Sequence, residues 1–420
     1  MRKSGPLSGI KVLDLSRVLA GPYVTQTLAD FGADIIKVER PIEGDEARLH
    51  GTKPALPEGC NGVDSSGFTA VNRGKRSLAL DFSKPEGQAI IRELVRHCDV
   101  LVENFKAGSL KKYQLDYESL SQLNPDLIYC SITGFGQTGP YRDLPGYDLV
   151  FQAMSGVMAG TGLPENQKGG GPQRVGHPIS DVTAGLYAII GIMAALVDRL
   201  KGNVKGQHID VALMDCQVAA MTIVPASYLT SAHVAKPSGA ASALSCPYQP
   251  FVCQDGSMVV AVNNNAQFFN LCRALALDAL IEDPRFRNNQ ERVAHRDLLI
   301  PMFEERFAAL SLKQAIDLLR AVGVPCGPIN NMADVFEDEQ VKSRDLETRV
   351  DHPVKGTTPI VANPLKFSES VVSYALGPPA IGEHTEEILT TYLGASKSAL
   401  AQWEAAGVIG GVHTEIERRS

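Results

Sequence analysis

The first forty residues have the spacing of a strand, a crossover helix and a second strand. Ile10–Leu15 and Asp34–Glu39 are apolar enough for buried strands, and Tyr23–Phe31 between them has the pattern of a helix. Strands joined by such a crossover lie parallel in one sheet. The amino terminus therefore restricts the chain to an α/β fold built on a parallel sheet.

The same alternation continues to about residue 229 and then changes. Further strands are predicted at 77–81, 99–103, 127–132 and 207–213, with helices at 85–98, 149–158, 180–200 and 214–229. A hairpin at 248–262 and helices at 267–275, 296–309 and 312–321 indicate a second, smaller core. We predict a large Rossmann-like domain (1–205), a linker (206–240), a small α/β domain (241–335) and a return segment (336–420) that completes the large domain.

The turn after the first strand argues against a dinucleotide-binding enzyme. Ser16–Pro22 contains one glycine, Gly21, whereas a nicotinamide-binding turn needs the G-x-G-x-x-G pattern. Ligands of parallel sheets nevertheless bind at the carboxyl ends of the strands. Arg40, which follows the second strand, is either a phosphate contact or a solvated surface arginine.

Polar and aromatic residues also follow the strand at 99–103. Asn104 can bond a ligand amide, Phe105 can stack on an adenine, and Lys106 with Lys112 can hold phosphates. Each of these side chains, taken alone, is more often structural. The basic run at 73–76 is similarly either a solvated face or a local positive field for an anionic ligand.

The overall charge excludes several classes of partner. A net charge of −7 and a pI near 5.8 argue against nucleic acid and against an anionic membrane surface. The eight cysteines are scattered without a C-x-x-C pair or zinc spacing, which favours reduced thiols in a cytoplasmic protein and no metal site. No uninterrupted apolar run reaches the roughly 18 residues that a membrane span needs.

One carboxylate stands at the start of a strongly apolar segment. A glycine-rich loop at 168–174 leads to Ser180 and Asp181, and the residues that follow are almost all apolar. We predict that Ser180 caps a buried helix and that Asp181, in its first turn, is ionised. An aspartate at this place is either a second capping residue or a functional group.

Taken in order, these motifs resemble the class III CoA-transferase family, the group of formyl-CoA transferase and carnitine CoA-transferase. The resemblance extends over nearly the whole chain. The matching stretches are Val12–Pro22, Ile35–Arg40, Val102–Phe105, Gly134–Pro140, Gly146–Asp148, Asp181–Gly185, Gly323–Pro328 and Gly382–Thr385.

The resemblance implies an interlocked homodimer with a nucleophilic aspartate, and Asp181 stands at that position. Coenzyme A is then a substrate, no prosthetic group is needed, and the partners are an acyl-CoA and a carboxylic acid. Tyr147 and Asp148 stand where formyl-CoA transferase has an active-site tyrosine followed by glutamate. The other positions at which the family holds CoA are Val18, Arg40, Leu80, Asn104, Phe105, Lys106 and Lys112.

Other activities on the same fold remain alternatives. The family's α-methylacyl-CoA racemases pair the aspartate with a histidine in a Gly-His-Asp motif, because racemisation needs acid/base groups on both sides of the α-carbon. This chain has Tyr147 at that place, which favours transfer, and His177 does not match the histidine's position. An acyl-CoA hydrolase and a non-catalytic CoA-binding protein are the further alternatives.

Two departures from formyl-CoA transferase bear on the substrate. Leu19 replaces a glutamine, and Ala232–Cys246, the expected lid, lacks the glycine run. The stretches 131–140 and 327–332 look more like the branch that contains succinyl-CoA:glutarate CoA-transferase. We therefore expect CoA transfer from succinyl-CoA to a dicarboxylate through an aspartyl anhydride and an aspartyl-CoA thioester. The substrate-binding candidates are Arg17, Arg48, Arg73, Asp148 and Arg174.

Overall fold

The structure of the protein is a computed structural model, and it describes residues 5–53, 64–352 and 356–410. The chain divides into two compact units. One contains Met1–Gly156, Val175–Thr230 and Ser343–Ser420, and the other contains Val157–Arg174 and Ser231–Lys342. The chain therefore leaves the first unit twice and returns to it twice.

A seven-stranded sheet forms the centre of the first unit. From one edge to the other, the strands follow the chain order seventh, third, second, first, fourth, fifth and sixth. All neighbours pair in parallel except the seventh strand, which is antiparallel to the third. The predicted parallel α/β fold is thus confirmed. The strands are Lys11–Asp14, Asp34–Glu39, Lys75–Leu80, Val100–Glu103, Ile128–Thr133, Gln207–Ala212 and Ile409–Gly410.

The sheet is covered by helices on both faces. Successive side chains of a strand point to opposite faces. Val12 accordingly packs in one apolar cluster with the helices Ala20–Asp30 and Ile179–Leu200, and Leu13 packs in another with Pro85–Val95. Burial on both faces explains why the strands are almost continuously apolar.

Two segments that we predicted as single helices are each two helices. The segment 149–158 forms Asp148–Met154 and Val157–Gly160. The segment 214–229 forms Leu213–Ala220 and Ile223–Ser231, separated at Thr222, whose φ of 46° does not fit a right-handed helix. The expected linker, 206–240, therefore consists largely of a strand of the sheet and these two helices.

The remaining elements of the first unit are short helices and one antiparallel ladder. The ladder pairs Glu347–His352 with Gly356–Val361. The helices are Glu46–Leu49, Ser66–Thr69, Lys111–Tyr113, Tyr117–Leu123, Thr385–Leu393 and Lys397–Ala405.

The second unit has its own sheet and core. Tyr248–Val252 and Ser257–Ala261 form the predicted hairpin, and Cys326–Pro328 pairs with its second strand. Phe251, Phe303 and Phe307 pack at the centre of its apolar cluster. Gly162–Leu163 and Gly171–Pro172 form a small ladder. The helices are Asn265–Ala274, Asp278–Leu280, Pro284–Phe286, Asn289–Ala294, Arg296–Ala308, Leu312–Ala321, Met332–Glu337 and Glu339–Ser343.

Among the described residues, one helix, Ile179–Leu200, is long and apolar enough to span a membrane by length and composition alone. A core helix of a soluble protein passes the same test. Ala184, Ala188, Ile192 and Leu196 lie in the core beneath the sheet, at the four-residue spacing of one helix face. The apolar character of this helix is therefore accounted for, in part, by packing.

Candidate active site

Asp181 lies in the first turn of Ile179–Leu200, which we call the Asp181 helix. The helix begins earlier than predicted, so that Pro178 is at the N-cap position and Ser180 lies inside the first turn. The Ser180 hydroxyl is buried and has no hydrogen-bond partner among the residues that the structure describes. The prediction that Ser180 caps the helix is therefore wrong.

Asp148 provides the cap instead. Its Oδ1 accepts hydrogen bonds from the backbone N–H of Ser180 at 2.8 Å and of Asp181 at 3.4 Å. The first N–H groups of a helix have no intrahelical partner, and the helix dipole favours a negative charge beside them. Asp148 itself begins the helix Asp148–Met154, so two helices of the first unit start at one point.

Gln152 fixes Asp148 in this position. Its Nε2 donates to Asp148 Oδ2 at 2.6 Å and to the His177 carbonyl at 3.3 Å, and its Oε1 accepts from the Val175 N–H at 2.8 Å. The side chain of Gln152 is fully buried. Asp148 was expected to contact substrate, but both of its oxygens are hydrogen-bonded within the protein, which makes it a support for the Asp181 helix.

The surroundings of Asp181 favour its neutral form. Burial first, and then the negative charge of Asp148, raise the pKa of the Asp181 carboxyl from 3.8 to about 7. Its backbone N–H binds Asp148, and none of the described residues donates a hydrogen bond to its carboxylate. These surroundings oppose the ionisation that we expected for Asp181.

Gly185, one turn beyond Asp181, allows another helix to approach closely. A Cβ atom at Gly185 would lie 2.8 Å from Tyr23 Cδ1 and 3.3 Å from the Ala20 carbonyl oxygen. Any larger residue would therefore push away the start of Ala20–Asp30. This contact places the beginning of that helix beside the turn that carries Asp181.

A cleft of about 280 Å³ opens at the carboxyl ends of the first four strands. It includes the point between the first and fourth strands where the strand order reverses, and open parallel sheets bind ligands at such points. The Arg17 guanidinium lies 5.2 Å from the centre of the Phe105 ring across this cleft. The structure brings five of the expected residues to its wall, namely Arg17, Arg40, Leu80, Phe105 and Lys112.

Ser16 and Arg17 line the cleft, and the turn Ser16–Val18 to which they belong holds an unusual conformation. Val18 has a φ of 68°, which a β-branched residue adopts at a cost of about 1–3 kcal/mol. Asn104 supports the turn, because its Oδ1 accepts from the Arg17 N–H at 2.9 Å and its Nδ2 donates to the Arg17 carbonyl at 2.7 Å. We expected Asn104 to bond a ligand amide. In the structure, its side chain instead binds the protein backbone.

Four expected CoA contacts do not line this cleft, namely Val18 and Asn104 of the region just described, Tyr147 and Lys106. Tyr147 is 82% exposed and precedes the helix that starts at Asp148. Lys106 is also exposed, with its Nζ 3.9 Å from Asp143 Oδ1, and it borders a different cavity of about 360 Å³. Their roles as CoA contacts therefore rest on the resemblance alone.

Two of the arginines proposed for substrate are structural. Arg48 is buried and donates to both oxygens of Glu39 and to Asp64 at 2.7–2.8 Å. Arg73 is buried against both oxygens of Asp30, at 2.9 and 2.6 Å. Because these guanidinium groups are committed to internal carboxylates, we remove both from the candidate site. Arg17 remains a candidate although its guanidinium pairs with Glu46 at the cleft, because that pair is partly exposed and not buried, and the exposed Arg174 also remains.

The sequence interpretation missed three buried polar residues that support this region. Gln152 gave no signal beyond standing four residues after Asp148. Lys37 gave a clearer one, because it interrupts an apolar strand and a buried lysine needs a partner. That partner is Asp45, whose Oδ2 lies 2.8 Å from Lys37 Nζ.

The sequence-family model of CoA-transferase family III matches residues 7–385 of this chain. The chain belongs to this family. It is therefore an enzyme of the CoA-transferase class, and its substrates are CoA thioesters. Among the described residues, no group of three or more His, Cys, Asp or Glu side chains could hold a metal ion.

Relatives with named activities match along most of the chain. A succinate–glutarate CoA-transferase of Agrobacterium fabrum is 42% identical over 91% of this chain and 95% of its own length. The human succinyl-CoA:glutarate CoA-transferase is 41% identical over 97% of this chain and 91% of its own length. The crystal structure of a CAIB/BAIF family protein from Brucella suis is 42% identical, with a TM-score of 0.83 over 93% of this chain and all of that one.

Proposed function

We propose that this enzyme transfers CoA from succinyl-CoA to a free dicarboxylate, with Asp181 as the nucleophile. The observation that carries the proposal is the placement of Asp181. It is a desolvated carboxylate at a helix start, and Gly185 packs that helix against the helix that follows the turn Ser16–Val18. The choice of succinyl-CoA and of a glutarate-like acceptor is supported by the names of the two relatives.

The reaction needs no redox step and no ATP. An Asp181 oxygen attacks the thioester carbonyl of the donor, the C–S bond breaks, and CoA thiolate leaves a mixed anhydride on the enzyme. The thiolate then attacks the aspartyl carbonyl and releases the donor as a free carboxylate, so that an aspartyl-CoA thioester remains. The acceptor carboxylate attacks this thioester, and the thiolate finally attacks the acceptor's acyl carbonyl. These steps regenerate Asp181 and yield the new acyl-CoA.

The cleft is suited to the nucleotide end of CoA. Phe105 offers a ring on which adenine can stack, and Arg40 and Lys112 offer positive charge for phosphates at the same wall. Arg17 lines the cleft, and three residues further along the chain the Ala20 carbonyl is next to Gly185. A pantetheine arm that follows the turn Ser16–Val18 brings the thioester to Asp181. For the distal carboxylate of the substrates we propose Arg17.

The remaining features of the enzyme follow from the same proposal. We place it in the cytoplasm with reduced thiols and without a prosthetic group. A homodimer is supported by the Asp181 helix, which exposes the apolar side chains of Leu186, Tyr187, Ile190, Val197 and Leu200 in the single chain. Such a row of apolar side chains favours burial against another surface.

A racemase or a hydrolase on the same fold is the alternative. A racemase needs a second acid/base group opposite Asp181. His177 does not fit this role, because its side chain is exposed and it is its backbone carbonyl that accepts a hydrogen bond from Gln152. The two activities differ from transfer in their products. A racemase exchanges the α-proton without an acceptor, whereas a hydrolase releases free CoA.

One experiment separates these activities. The enzyme is incubated in deuterated buffer with succinyl-CoA or a branched acyl-CoA, with and without glutarate and other dicarboxylates, and the products are identified by mass spectrometry. We expect glutaryl-CoA only when glutarate is present, no deuterium at the α-carbon, and a hydroxylamine-sensitive acyl group on Asp181. Asp181→Asn should lose all transfer. Asp198→Asn, at the other end of the helix, should retain it, and transfer by the Asp181→Asn variant would refute the proposal.

A further inference from the structure

A buried ion pair lies directly beneath the turn Ser16–Val18. The Lys37 Nζ donates to Asp45 Oδ2 at 2.8 Å and to the Ser16 carbonyl at 3.0 Å. Asp45 Oδ1 accepts from the Val18 N–H at 2.9 Å. Each member of the pair therefore also binds the backbone of the turn, on either side of Arg17.

The pair is fully enclosed, and such a pair is a poor means of stabilising a fold. The side chains of Lys37 and Asp45 are 0% and 1% exposed. Desolvation of two charges offsets most of their attraction, so apolar residues of similar volume are often as stabilising. A buried pair at this place therefore calls for a specific role. Asp45 also caps the helix Glu46–Leu49 through the Ala47 N–H, and the other backbone groups that the two charged side chains bind belong to the turn.

The conformation of the turn explains what the pair does. Val18 has a positive φ that a β-branched side chain disfavours, so the turn would relax if its backbone groups were released. The Val18 N–H is bound by Asp45, the Ser16 carbonyl by Lys37, and both backbone groups of Arg17 by Asn104. The strained residue is thus held on both sides.

We propose that Lys37 and Asp45 are positioning residues, which hold the strained turn in the conformation that carries the acyl-CoA thioester from the cleft to Asp181. This inference rests on the proposed function. Ser16 and Arg17 line the cleft, and two residues beyond Val18 the Ala20 carbonyl packs beside Gly185. A shift of the turn therefore moves the path of the thioester, while the nucleotide contacts at Arg40 and Lys112 stay in place.

The first test removes the pair as a unit, so that no buried charge is left alone. In the variant Lys37→Met/Asp45→Ala we expect kcat to fall at least about tenfold, because small displacements of reacting groups have large effects on rate. The KM for acyl-CoA should change less than about threefold. The matched control is Asp34→Ala/Arg76→Met, which removes an ion pair at the amino end of the same strand. It should leave kcat within about threefold of the wild type.

The second test asks whether the strain at Val18 is what the pair opposes. Glycine adopts a positive φ without cost, whereas alanine keeps the Cβ atom and most of the strain. In a Val18→Gly background the loss of kcat caused by removing the pair should be at least about fivefold smaller than in the wild type. In a Val18→Ala background the loss should be undiminished. A pair that only stabilises the fold would show no such difference.

The outcomes are distinct. Formation of the hydroxylamine-sensitive intermediate by the wild type tests the proposed function by itself. If the wild type forms it and the folded paired variant keeps full kcat, or if the glycine and alanine backgrounds show equal losses, the positioning role is refuted. Should the paired variant not fold, Lys37→Met/Asp45→Asn preserves more of the packing and takes its place, with the same rescue by Val18→Gly expected.

Discussion

Replacing Asp181, the proposed nucleophile, should stabilise the protein, and the gain should depend on pH. The folded state raises the pKa of Asp181, so it binds the proton more tightly than the unfolded chain does. Stability from this group is therefore fully present at low pH and is lost as the pH rises from the ordinary pKa of 3.8 to about 7. Asparagine has nearly the same shape but never carries the charge, so it avoids the loss.

The size of the effect follows from the shift. A rise from 3.8 to about 7 corresponds to about 4 kcal/mol above pH 7, at 1.36 kcal/mol per pKa unit. More than half of this accumulates between pH 5 and pH 8. Because the side chain is partly open to solvent, we expect the stability difference between Asp181→Asn and the wild type to grow by about 1–2 kcal/mol over that interval.

The assay is urea denaturation followed by circular dichroism at pH 5 and pH 8, at one protein concentration. Asp198→Asn serves as the control, because Asp198 is at the opposite end of the same helix and its carboxylate accepts a hydrogen bond from Asn203. The stability difference between Asp198→Asn and the wild type should not grow between pH 5 and pH 8. If Asp181→Asn and the wild type show the same pH dependence, the carboxylate is not destabilised by its surroundings, and the argument from burial and from Asp148 is wrong.

Three further results are expected. The kcat/KM of the wild type should rise with pH between about 6 and 8 as Asp181 ionises, and Asp148→Asn should move the midpoint to lower pH; an unmoved midpoint would exclude the influence of Asp148. Lys112→Ala should raise the KM for acyl-CoA about three- to tenfold with little change in kcat, as steady-state kinetics would show, and an unchanged KM would remove Lys112 from the CoA site. Arg48→Met should lower the free energy of unfolding by about 3–5 kcal/mol in urea, because Glu39 is left buried without its cation, and a loss below about 1 kcal/mol would contradict the buried ion pair.

The sequence was sufficient for features that depend on local pattern. Strand and helix periods in the first forty residues predicted the parallel sheet, and the apolar run after Asp181 predicted its helix. Residues that directly follow strands, such as Arg40 and Phe105, come together in the cleft because parallel strands present their carboxyl ends at one edge.

Features that depend on distant partners were not accessible in this way. Ser180 satisfies the local rule for a cap, but the helix is capped by Asp148, which stands thirty-two residues earlier and is held there by Gln152. Arg48 and Arg73 were plausible anion ligands as isolated charges. Only the tertiary structure shows that each faces its own buried carboxylate.

Asp148 has two opposing effects on Asp181, the proposed nucleophile. It satisfies the N–H groups at the start of the Asp181 helix, which fixes the position of Asp181, but its charge also makes Asp181 harder to ionise. The two effects are compatible with catalysis because nucleophilic strength increases with basicity. With its pKa raised to about 7, Asp181 is far more basic than an exposed aspartate. A cap formed by Ser180 would have given the same helix with a weaker nucleophile.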